Sequence, residues 1–116
     1  MKNLKFLFAV LFTLSFSVAA LAQKKSGNET IKIKTSAECD MCKERIEKVM
    51  AYEKGVKKST LDVESKILTV VFNPKKTSIE QIRKVISDTG YDADDVPANN
   101  KAYDKLPECC KKGAHK

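Results

Sequence analysis

Between residues 29 and 97 the spacing of apolar side chains switches back and forth between two periods, and the order of those switches leaves few folds open. Ile31 and Ile33 alternate with Thr30, Lys32 and Lys34, the period of a half-buried strand. Cys42, Ile46, Val49 and Met50 then recur at helical spacing, with Lys43, Glu44, Glu47 and Lys48 on the opposite face and Gly55 closing the segment. Ser59, Leu61 and Val63 alternate again, Glu64-Ser65-Lys66 turns the chain, and Leu68, Val70 and Phe72 form the second arm of a hairpin that stops at Asn73-Pro74. Thr77 and Glu80 have the spacing of a capping box. They precede a second helical stripe, Ile79, Ile82, Val85 and Ile86, closed by Gly90. A short last strand is expected over residues 91–96, ended by Pro97.

The order β-α-β-β-α-β predicts an α+β, ferredoxin-like domain: a four-stranded antiparallel sheet with two helices on one face. A chain of 116 residues has room for one small domain and not for a large substrate cleft. Residues 98–116 follow as a polar, lysine-rich tail that contains Cys109, Cys110 and the single histidine, His115. The formal charge of +7 is spread along the chain. The outward sheet positions Lys32, Lys34, Thr69 and Val71 offer no aromatic ring for base stacking. A nucleic-acid partner is therefore not expected.

The N-terminus reads as an address. Lys2 and Lys5 precede the apolar run from Phe6 to Val18, and Ala20 and Ala22 give an A-x-A ending. These are the three parts of a secretory signal. Residues 1–22 are thus expected to be a cleavable signal peptide rather than a retained anchor, and 23–28 a flexible lead-in. The mature protein is expected to be periplasmic, soluble and monomeric. In an oxidising compartment Cys39, Cys42, Cys109 and Cys110 have three possible disulfide connectivities, and sequence does not choose among them.

Cys39-Asp40-Met41-Cys42 falls where the first strand turns into the first helix. Thiols at i and i+3 across a helix start can converge on one point, and the partial positive charge of the helix N-terminus favours their ionised form. Two preorganised thiolates suit a soft cation of low coordination number: Cu(I) or Hg(II) foremost, with Zn(II) or Cd(II) if further ligands join. Cys109, Cys110, Glu38 and His115 are candidate accessory ligands. A structural Cys39–Cys42 bridge would close too short a loop to stabilise much. A periplasmic thiol-disulfide oxidoreductase is the main rival, because CxxC at a helix start is also a redox site.

With these residues in place, residues 30–97 resemble the heavy-metal-associated domain family, and among its members the periplasmic mercury-binding proteins and the copper chaperones. The likeness rests on Cys39-x-x-Cys42 after a first strand, Gly55-Val56 after the first helix, the hairpin through Phe72, and Thr89-Gly90-Tyr91 before the last strand. It implies carriage rather than catalysis: Cys39 and Cys42 hold the ion, Met41 and Tyr91 shield it, and the thiols of a partner attack it through a three-coordinate intermediate. The implied partner is a metal-transporting membrane protein or ATPase with its own cysteine pair, and the implied role is metal trafficking or detoxification. Ser36-Ala37-Glu38 departs from the Gly-Met-Thr usual in the family, and an acidic residue at Glu38 goes with zinc, cadmium or lead. Apart from that redox alternative no catalytic constellation is present, the single histidine lying in the tail, and the protein is not expected to be an enzyme.

Overall fold

The structure is a computed structural model and describes residues 27–113; the expected signal segment 1–22 and His115 lie outside the described residues. Strand β1 (Glu29–Lys34) leads into helix α1 (Asp40–Tyr52), followed by β2 (Val56–Asp62), β3 (Ile67–Phe72) and helix α2 (Ile79–Thr89). The strands form one antiparallel sheet in the order β1-β3-β2. Register follows burial. Ile33 and Leu61 both lie opposite Leu68, and Ile31 and Ser59 both lie opposite Val70, so rows of inward side chains run across the sheet.

The helices cover this inward face with their apolar stripes. Cys42, Ile46 and Met50 of α1 and Ile82 and Ile86 of α2 are buried together with Ile33, Leu61, Leu68, Val70 and Phe72. Ser78, not Thr77, caps α2: its hydroxyl accepts from Gln81 N at 3.1 Å. Thr77 instead lies against Gly55, whose φ of +89° and crowded surroundings leave no space for a Cβ. Among the described residues no helix is long and apolar enough to cross a membrane.

The expected four-stranded sheet has three strands. Where a fourth would run beside β1, only Thr35 and Ala93 pair, as an isolated bridge. Two features of Asp94 stop the strand from extending. Asp94 adopts φ +53°, a left-handed conformation that Asp tolerates and a strand does not. Its carboxylate also accepts from Lys34 N at 2.9 Å, taking a donor that a strand backbone would have used. Ala93 and Val96 then bond to each other across a tight turn, N to O at 2.9 Å both ways.

The chain beyond Pro97 packs onto the domain. Helix α3 (Asn100–Asp104) and a 3-10 turn (Glu108–Cys110) bring Leu106 and Cys110 into the core. Asn99 N donates to Ser87 O at 3.0 Å, Ser87 Oγ donates to Pro97 O at 2.7 Å, and Ala98 N donates to Asp92 Oδ1 at 2.8 Å. Gly90, at φ +109°, is the enabling residue. A Cβ there would stand 3.0 Å from Ala102 O, so only glycine lets α3 lie this close to the end of α2.

Candidate metal centre

The loop that delivers the first cysteine is tied on several sides. Thr35 donates from N and Oγ1 to Lys66 O, at 2.9 and 2.8 Å, and its hydroxyl also accepts from Ala37 N at 3.2 Å. Ser36 Oγ accepts from Asp92 N at 2.8 Å, and the small Ala37 is fully buried beneath. Cys39 therefore arrives as the N-cap of α1, in extended conformation, with its carbonyl accepting the first helical bond from Lys43 N. Cys42 follows in the first turn, on the buried stripe of Ile46 and Met50.

Their sulfurs converge, 3.3 Å apart. A third joins them: Cys110 Sγ lies 3.8 Å from Cys39 Sγ, and the three sulfurs all fall within 4.8 Å of one another. Cys42 and Cys110 are buried, while Cys39 is partly exposed and opens the cluster to solvent. Cys109 lies outside this group of three but at its edge: it is partly buried, its thiol acts on that of Cys39, and it lies 3.7 Å from the sulfur of the exposed Met41. All four cysteines are present as thiols.

The cluster is chemically uneven. Burial pushes the Cys39 thiol up, but the backbone N–H and thiol of Cys42, with the thiols of Cys109 and Cys110, outweigh it and bring its pKa from 9.0 down to about 6. Cys39 is therefore mainly thiolate at neutral pH. Cys110 is pushed the other way, first by burial and then by its neighbour Cys42. Tyr91 is fully buried, and its hydroxyl is raised by burial and by the adjacent Cys110 and Cys42. No hydrogen bond of ordinary geometry reaches that hydroxyl among the described residues. Tyr91 thus forms part of the floor under the sulfurs. Glu38 is engaged elsewhere: its carboxylate pairs with Lys66 Nζ at 3.2 Å and does not join the sulfur group.

Sulfur spacing limits coordination. A metal–sulfur bond of about 2.3 Å places ligands about 3.8 Å apart in a tetrahedron, about 4.0 Å in a trigonal plane and about 4.6 Å in a linear pair. The Cys39–Cys110 separation of 3.8 Å matches the first two arrangements, whereas Cys39 and Cys42, 3.3 Å apart, must spread by about 0.5 Å to bind an ion in either. The docked position of Cys110 was not legible in the sequence. The available signals were weak ones: Asn99, whose side chain caps α3, and Leu106, an isolated apolar residue in a lysine-rich stretch.

Three converging thiols at the start of the first helix of this sheet-and-helix domain define a sulfur-rich centre of the type found in small metal-binding modules. The family model for the heavy-metal-associated domain matches residues 33–92, and the chain belongs to that family. A copper-exporting P-type ATPase of Staphylococcus saprophyticus is 38% identical over 55 residues, which are 47% of this chain and 7% of the ATPase. The copper chaperone CopZ of Staphylococcus haemolyticus is 32% identical over 54 residues, 47% of this chain and 79% of the chaperone. The crystal structure of oxidized MerP from Ralstonia metallidurans superposes with a TM-score of 0.55 at 25% identity, over 57% of this chain and 93% of that one. This chain thus spans only a small part of the ATPase and most of the chaperone.

Proposed function

We propose that the protein is an exported carrier that captures a soft metal ion, Cu(I) or Hg(II), on Cys39 and Cys42 and passes it to a partner. The observation that carries this reading is the 3.3 Å convergence of the two sulfurs at the helix N-terminus, one of them ionised near neutral pH. Thiolates are soft ligands, and an all-sulfur site selects Cu(I) and Hg(II) over harder cations. Glu38 pairs with Lys66, which removes the oxygen ligand on which the family's zinc, cadmium or lead pattern rests. The copper chaperone and copper-exporting ATPase among the relatives, and the likeness to MerP, support trafficking or detoxification. The partner is then a metal-transporting membrane protein or ATPase that presents its own cysteine pair. Its thiolate attacks the ion before Cys39 and Cys42 release it, so the ion is never free. The basic, apolar and A-x-A elements of residues 1–22 support a periplasmic location.

The lowered pKa of Cys39 also favours a thiol-disulfide oxidoreductase, since an ionised, partly exposed thiol is a good nucleophile. Anaerobic competition among Cu(I), Hg(II) and Zn(II), read by native mass spectrometry, separates the two. The carrier takes up one Cu(I) or Hg(II) in preference to Zn(II), and the double variant Cys39→Ser/Cys42→Ser loses that uptake. Uptake that survives in the double variant overturns the proposal. Absence of uptake together with a strongly oxidising thiol potential favours the enzyme.

A further inference from the structure

The tail cysteines divide in a way that the carrier function does not require. A carrier built on Cys39 and Cys42 alone needs nothing beyond Pro97, yet the segment after it is held from several directions. Three backbone and side-chain hydrogen bonds fix its start, Leu106 enters the core, and Lys112 Nζ reaches Asp92 Oδ2 at 2.7 Å. Lys112 N also donates to Tyr103 Oη at 3.0 Å, closing the far end. The outcome of all this anchoring is the position of one atom. Cys110 Sγ lies 3.8 Å from Cys39 Sγ, between the buried Cys42 and the ring of Tyr91.

A buried cysteine is often only a small apolar filler. Filling alone does not account for the placement here. Cys110 is the tail cysteine that is fully buried, and it completes a group of three ligand atoms within 4.8 Å. Its neighbour Cys109 stays outside that group, partly buried between the Cys39 thiol and Met41, so the 3-10 turn places one sulfur within the cluster and one at its edge.

We propose that Cys110 is a third sulfur ligand, and that residues 98–113 are a docked cover that makes the site three-coordinate within one molecule. This rests on the carrier reading and deepens it. The protein itself supplies the third sulfur that a two-thiol carrier obtains only from its partner. The cargo is accordingly an ion that accepts three thiolates, and delivery requires the incoming thiolate to displace Cys110 rather than merely to add to a pair. The first bond from the ion to an incoming thiolate replaces its single bond to Cys110, the departing Cys110 thiolate takes up the proton that the incoming thiol gave up, and no oxidation state changes.

X-ray absorption at the metal edge tests this on the purified, fully reduced protein loaded with one equivalent of Cu(I) or of Hg(II). The expected result is three sulfur neighbours in the wild type and in Cys109→Ala, and two in Cys110→Ala. The wild-type count needs no variant, so it stands even if Cys110→Ala disturbs packing; far-UV circular dichroism on that variant reports its fold. Two sulfurs in the wild type, or an unchanged count in a folded Cys110→Ala, overturn the third ligand while the two-cysteine carrier survives. Retention of the ion by Cys39→Ser/Cys42→Ser instead removes the carrier reading itself.

Discussion

The two cysteine pairs of this chain obey different local geometries. In Cys39-x-x-Cys42 the residues are three apart across a helix start, and both sulfurs reach the same point, 3.3 Å from each other. In Cys109-Cys110 they are adjacent on a 3-10 turn, where consecutive side chains diverge by about 120°. One sulfur enters the cluster and the other faces Met41. Spacing along the chain thus decides whether a pair acts as a pair. The first is a chelate by construction, whereas the second contributes a single inward thiol only because the segment around it is docked.

That dependence on docking can be broken. Among the described residues of the tail, Leu106 and Cys110 are the two buried in the core. Leu106→Ala should lower stability by about 2–5 kcal/mol, measured by urea unfolding, if the segment is an integral part of the fold. Alkylation mapping on the same variant should show Cys110 exposed while Cys42 stays protected. A smaller change tests the hinge of the arrangement. Gly90→Ala puts a side chain in a left-handed conformation and against Ala102 O, and should cost about 1–2 kcal/mol for the backbone alone, together with faster labelling of Cys110.

The smallest effect sharpens the contrast between the two partly exposed sulfurs. Cys39 is lowered to about 6, while Cys109 is raised, chiefly by the neighbouring Cys39 and then by burial. At pH 7 Cys39 is therefore mainly thiolate and Cys109 mainly thiol, and the larger thiolate fraction outweighs the weaker nucleophilicity of the more acidic thiol. Iodoacetamide labelling of the metal-free protein, mapped by peptide mass spectrometry, should therefore favour Cys39 at pH 7. Its rate should fall as pH drops through about 6 and change little between pH 7 and 9, whereas that of Cys109 should keep rising with pH. Similar profiles for both would mean that the helix start does not activate Cys39.

What the sequence made legible was what repeats. Ile31 and Ile33, Leu68, Val70 and Phe72, and the stripes of α1 and α2 stand where their periods put them, because each element buries one continuous face. The convergence of Cys39 and Cys42 was equally readable, since helix geometry alone brings i and i+3 together. The missing fourth strand was not. Residues 91–96 contain enough apolar positions for a strand, but the left-handed Asp94 and its bond to Lys34 are set by tertiary contacts. The tail was hidden for a related reason. A helix of five residues and a 3-10 turn of three are too short to show a period, and their burial depends on Gly90, which reads from sequence as no more than a helix stop.

Cys110 stands six residues before Lys116, so a segment fused after Lys116 is tethered to the cluster by a short length of chain. A polyhistidine tag placed there would offer imidazole nitrogens within easy reach of the same ion, and purification through it would load or strip the centre before any measurement. Affinity handles belong on the N-terminal side of β1.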